Sequence, residues 1–144
     1  MRRFLSGRYR KHLVISMDPQ QEIFTQLRAA LARAVEGVPV YDGKLPPAGT
    51  KYPFIYLGEL SQEDVWYKAS IGGTIRLSVH IWHNDPGQRG TVSQLMRQVK
   101  QTAIGLHGTD HYFDYSGASE TIQPDTSTGK PLLHGVVDLK YQYY

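Results

Sequence analysis

The sequence predicts an α+β fold, a largely antiparallel sheet of four to five strands with two amphipathic helices packed on one face. Three observations carry the prediction. Two segments repeat apolar residues at helical spacing, two others alternate apolar and polar residues strictly, and Gly/Pro clusters mark the joints between them. The order helix, strands, helix, strands lacks the strand–helix alternation of a parallel sheet, so the helices most simply cover one face of an antiparallel one. At 144 residues and 16.3 kDa the chain suits one domain with a core that needs no metal or disulfide staple.

The first helix is expected from Pro19 to Glu36. Asp18 can accept hydrogen bonds from the first unpaired amides, and Pro19 sits where a backbone N–H has no partner. Ile23, Phe24, Leu27, Leu31, Ala34 and Val35 then fall on one face, and Gly37 and Pro39 close the segment. Val40 and Tyr41 form a short strand before a loop built on Pro46, Pro47 and Gly49.

Two long strands follow, Tyr52 to Glu63 and Thr74 to His83. In the second, Ile75, Leu77, Val79 and Ile81 point one way and Arg76, Ser78, His80 and Trp82 the other. Gly72-Gly73 lets the pair form an antiparallel hairpin, and the polar stretch Ser61 to Ser70 reads as its long loop. The second helix starts after Asn84-Asp85-Pro86-Gly87, carries Val92, Leu95, Met96, Val99, Ala103 and Leu106 in one stripe, and stops near Gly108. A strand near Tyr112 to Tyr115, extensible to Ile122, precedes a turn-rich loop from Pro124 to Pro131. The last strand, Gly135 to Tyr144, sets Val137, Leu139, Tyr141 and Tyr143 on one side.

Charge is unevenly placed. The chain counts 16 Lys and Arg against 13 Asp and Glu, with an isoelectric point of about 9.1. Arg2, Arg3, Arg8, Arg10 and Lys11 lie in the first sixteen residues without an acid; removing those five leaves 11 against 13, a net −2 from Met17 onward. The expected organisation is thus a basic N-terminal extension, residues 1–16, and a single α+β domain, residues 17–144. The extension could bind nucleic acid weakly and salt-sensitively. It reads more simply as a solvated leader, or as an over-extended reading frame whose start is Met17. No apolar run approaches a membrane span, and the N-terminus lacks the apolar stretch of a secretory signal, so a soluble cytoplasmic product is expected.

Chemistry is sparse. The absence of cysteine removes disulfides, thiolate metal sites and thiol nucleophiles. His80 and His83, three apart on a strand, point to opposite faces and cannot share an ion. His107, Asp110 and His111 cluster near a helix end, a spacing that exposed polar loops often produce. No Gly-x-Ser-x-Gly elbow, Gly-x-Gly-x-x-Gly or Walker spacing occurs. Gly87-Gln-Arg-Gly90 opens a helix whose amide end could attract an anion, but it reads first as a glycine-rich turn. Glu59, Glu63 and Asp64 could suggest a paired-carboxylate hydrolase, yet Glu63 and Asp64 fall in an apparent hairpin loop where charges are solvated. The expectation is a protein without catalytic residues, cofactor or metal.

Aromatics are the unusual feature, with ten tyrosines in the chain. A tyrosine buries its ring while its hydroxyl stays wet, which suits a subunit interface. Rings that cap the sheet core are the equal reading for Tyr56 and Tyr141. Trp66 and Tyr67, between Asp64 and Lys68, are harder to bury within so small a domain. Trp66, Tyr67, Lys68, Tyr141 and Tyr143 are therefore the candidate interface residues.

The layout resembles the tail completion proteins of long-tailed bacteriophages and prophages. Val-Tyr-Asp-Gly at 40–43, Pro46-Pro47, Pro-Phe-Ile-Tyr-Leu-Gly-Glu at 53–59, Gly72-Gly73-Thr74, Val-His-Ile-Trp at 79–82 and Gly-Val-Val-Asp-Leu-Lys-Tyr at 135–141 carry the likeness by order and spacing. The resemblance implies a structural virion protein without catalytic residues. Its place would be the head-proximal end of the tail, reached from the host cytoplasm during assembly. There, copies would form a ring, hexameric in related tail terminators, that halts tail tube growth and docks the head-neck connector or stopper protein. It also implies that Tyr41, Asp42, Gly43, Pro53, Gly58 and Trp82 serve turns and packing. The basic extension departs from the family pattern; it either reaches the DNA channel or is absent from the mature product. In such a ring the C-terminal strand is one candidate edge, and the loop from Ser61 to Gly73 another, for meeting a neighbouring copy.

The competing readings are a nucleic-acid-binding module driven by the N-terminal arginines, and a small hydrolase or nuclease using Glu59, Glu63, Asp64 or the cluster from His107 to His111.

Overall fold

The computed structural model describes residues 18–44 and 46–144. Two helices lie on one face of a five-stranded sheet, as the apolar pattern requires. Helix α1 (Pro19–Ala34) begins where Asp18 Oδ1 accepts the Gln21 amide at 2.9 Å, with Pro19 in the first turn. It ends two residues before the expected Glu36. Val35 returns its N–H to Leu31, and Gly37 takes φ +78°, a left-handed conformation that only glycine adopts cheaply. Strand β1 (Val40–Asp42) follows and pairs parallel to β2 (Phe54–Trp66). Strand β3 (Ile71–His83), helix α2 (Arg89–Ile104), strand β4 (Phe113–Asp125) and strand β5 (Leu132–Tyr143) complete the chain.

The sheet order is β1-β2-β3-β5-β4, antiparallel except at β1. This corrects the expectation that the C-terminal strand is an edge. Strand β5 buries alternate residues along nearly its whole length, so it needs helices above it and a strand on each side. The edge falls to β4, whose exposed side chains are mostly polar.

A second correction concerns Ser61 to Ser70. Strand β2 runs through to Trp66, and only Tyr67 to Ser70 turn, closed by the Tyr67 N–H on the Ser70 carbonyl at 2.8 Å. Helix α2 stops at Ile104, where Gly105 caps it, rather than near Gly108.

The core lies between helices and sheet. Ile23, Leu27 and Leu31 from α1 and Val92, Met96 and Val99 from α2 meet Ile75, Leu77, Val79 and Ile81 of β3. Each of these side chains is withdrawn from water, the main favourable term in folding. Two bulges keep the inward set aligned. In β2, Leu57 faces Val79 and Leu60 faces Leu77, so Gly58 and Glu59 together oppose Ser78. In β4 the register slips between Tyr115 and Gly117, and Gly117 takes φ +142°. Tyr141 closes the arrangement by donating its hydroxyl to the Ala103 carbonyl, in the last turn of α2, at 2.7 Å.

Candidate interaction surface

Among the described residues, no helix or further strand packs on the sheet face away from the helices, and its side chains are the alternates of the core residues. Arg76, Ser78, His80 and Trp82 on β3 stand beside Lys140, Asp138, Val136 and His134 on β5, their registered partners. Ser78 donates its hydroxyl to Asp138. A depression of about 620 Å³ is lined in part by Arg76, Asp138 and Lys140.

Toward the β1 end of this face the surface becomes aromatic. The Trp82 and His134 rings stack with centroids 3.8 Å apart and planes 5° from parallel, and His80 stacks on His134 at 5.0 Å. His80 Nδ1 lies 2.7 Å from His134 Nε2, and His80 Nε2 lies 2.9 Å from a Glu59 carboxylate oxygen. The Glu59 carboxylate accepts from His80 Nε2, and the direction of the His80–His134 bond follows the tautomers of the two rings. The β2 bulge presents Glu59 to His80, and a Cβ at Gly58 would run into the His80 ring, so glycine is required there. The hydrogen bond with His80 holds the Glu59 carboxyl below its usual value. Burial, reinforced by the neighbouring His80, pushes His134 below the usual imidazole value.

This stack forms one wall of a groove of about 580 Å³. Tyr52, Phe54, the turn from Pro46 to Thr50, Asp125 and Thr128 also line it. The Tyr56 hydroxyl holds the loop by donating to the Gly43 carbonyl at 2.9 Å, and Arg28 reaches from α1 to Asp42 at 2.7 Å. Aromatic faces beside carboxylates suit a side chain with an apolar stem and a cationic head.

The opposite end of the β2–β3 ribbon bears the candidate residues read from sequence. Trp66 is 79% exposed, Tyr67 and Ile71 are about half exposed at 50% and 46%, and Lys68 is exposed. Tyr141 and Tyr143 correct the expectation: they are 1% and 2% exposed and belong to the core. Strand alternation places them with Val137 and Leu139 on the side the helices cover. The Tyr143 hydroxyl donates to Asp64. Burial and that bond push Tyr143 up to about 12, while the hydroxyl and the Gln62 amide hold the Asp64 carboxyl down.

The other sequence candidates separate. Glu59 serves His80, Asp64 serves Tyr143, and Glu63 is exposed. His107 is exposed, whereas His111 places Nδ1 3.0 Å from Glu22, a buried carboxylate that also accepts the Thr109, Asp110 and His111 amides. Among the described residues, no three His, Asp or Glu side chains are grouped to hold a metal ion. At the start of α2, Asp85 Oδ1 already accepts the Gly87 amide at 2.9 Å. Arg2, Arg3, Arg8, Arg10 and Lys11 lie outside the described residues. The groove is the feature that sequence reasoning missed: His80 and His134 are 54 residues apart, and only the pairing of β3 with β5 brings them together. The outward position of His80 and Trp82 was the one available signal.

Comparison with known proteins gives this surface its setting. No curated protein matches the chain. Among solved structures, a chain from the virion of a native gene transfer agent particle shares the fold. Its TM-score is 0.59 at 20% identity, with 87% of this chain and 92% of that one covered. The family model described as tail completion protein gp17 matches residues 21–140, and the chain accordingly belongs to that family of structural proteins of the phage tail.

Proposed function

We propose that this protein caps the head-proximal end of the tail tube. Copies form a ring, hexameric in the finished particle, that ends tube growth and gives the head-neck connector or stopper protein its docking surface. Family membership across residues 21–140 is the observation that carries this reading. The molecule is suited to it: among the described residues, its unusual exposed features are an aromatic hairpin tip and a sheet face that no helix covers, surfaces of the kind that meet other proteins. A ring needs two different patches on each copy, because a contact that repeats around an axis joins unlike surfaces. Assembly would take place in the host cytoplasm, and the partners are other copies, the tail tube protein and the connector, without cofactor or catalytic step.

Electron microscopy of tails made with and without the protein tests the reading. With it, tails have one length and carry heads; without it, they are overlong or headless. Tails of normal length that join heads in its absence would exclude the role. A second reading uses the five basic residues of positions 1–16 to hold nucleic acid. It requires an affinity that falls steeply with salt and vanishes when those residues are deleted.

A further inference from the structure

The hairpin tip and the groove sit at opposite ends of the same ribbon, and their chemistries match. The tip offers, in sequence, an indole, a phenol and an ammonium: Trp66, Tyr67 and Lys68. The groove offers the Trp82–His134 stack and the Tyr52 ring as apolar walls, with Glu59 and Asp125 as carboxylates along its margin. Burial keeps His134 toward its neutral form, so the stack adds little positive charge against an incoming lysine.

A chain cannot satisfy this match by itself. Phe54 pairs with Trp82 at the groove end and Trp66 with Ile71 at the tip, so the two lie some eleven or twelve strand residues apart, roughly 35–40 Å at the rise of an extended strand. Strands β2 and β3 stay paired along that length, which prevents the tip from folding back. The tip must therefore find its groove on another molecule.

We propose that the tip of one copy, Trp66 to Lys68, docks in the Trp82–His134 groove of the next, with Lys68 meeting Asp125 and Glu59. The contact joins unlike patches, so it repeats head to tail and closes into a ring when the rotation between copies permits. A large aromatic anchor in a pocket with a charged pair at its margin is the arrangement that concentrates binding energy in few residues. This inference rests on the ring proposed above and names the contact that builds it.

The absence of native cysteine makes the test direct. Ala69→Cys and Thr128→Cys are introduced together in the full-length chain, at two exposed positions that keep Lys68 and leave the core untouched. Tails assembled from this variant are oxidised mildly and run on a non-reducing gel. The expected result is a ladder of linked copies, absent from both single-cysteine variants. Normal tails with rings but no ladder overturn the contact while leaving the ring intact, as does an Ala69→Cys link to the tube or connector protein. Tails that end without any ring of this protein overturn both. In parallel, Lys68→Glu is expected to weaken incorporation into tails at least tenfold at low salt, and Lys68→Arg to leave it unchanged. Equal incorporation of all three would remove the charge pairing.

Discussion

Glu22 is the buried charged side chain of the core, 1% exposed among the described residues. It is tolerated because its carboxylate accepts three successive amides, from Thr109, Asp110 and His111, and meets the His111 ring. One side chain of α1 thus fixes the turn that leads from α2 into β4. Glu22→Ala leaves those amides unpaired in a tight space, since Gly108 packs against the carboxylate. The expected cost is about 3 kcal/mol, read as a lower urea midpoint, with Glu22→Gln losing less because one oxygen remains. His134 supplies a second prediction at this scale. Its folded pKa lies below the usual 6.5, so the fold favours the neutral ring. That stability is full above about pH 6.5 and is lost as pH falls through 6.5 toward the lowered folded value, while the unfolded chain takes up the proton more readily. Glu59 acts in a separate window, because its lowered carboxyl loses stabilisation only below its usual 4.5. His134→Gln is expected to flatten the decline in urea midpoint as pH falls below about 6.5. An unchanged slope would assign the dependence to other groups.

At the scale of elements, the distance between α2 and the sheet is set by a glycine. A Cβ on Gly135 of β5 would stand 2.8 Å from Val92 Cγ1 and 3.0 Å from Met96 Sδ, both on the buried face of α2. Gly135→Ala is expected to cost about 1–3 kcal/mol by chemical denaturation. In a Val92→Ala background the added cost should shrink, because the clashing methyl is gone. Strictly additive losses would show that the close approach is already relieved. The same elements show which parts of the fold could be read from the sequence. Alternation in β3 and β5 was legible because one face of each is covered by helices, so every second residue must be apolar. The outer part of β2 and most of β4 were not, because an exposed ribbon and an edge strand can carry polar residues on both faces and lose the period-two signal. Strand order was hidden for a related reason: β5 lies between β3 and β4 although it comes last, and no local pattern reports that. The bulge at Gly58 and Glu59 shifts β2 by one residue, which also blurs its alternation. Of the candidate surface, the exposed tip was legible from its charged neighbours at Asp64 and Lys68, whereas the groove exists only through pairings distant in sequence.

For the molecule as a whole, the division of faces matters most. Helices cover one side of the sheet, and among the described residues the other carries aromatic, imidazole and charged side chains in register with no helix over them. The described domain and the basic first sixteen residues have opposite net charge, +5 against −2 from Met17 onward, so any attraction to nucleic acid is expected to belong to the extension. Membership of a family of phage tail structural proteins places assembly at the centre of the domain's role. The most direct test is a cryo-electron microscopy map of the finished particle at a resolution that traces β2 and β3. The account predicts six copies of this fold in one ring between the last layer of the tail tube and the neck. Copies distributed along the tube, or found only at the end that meets the host, would contradict it.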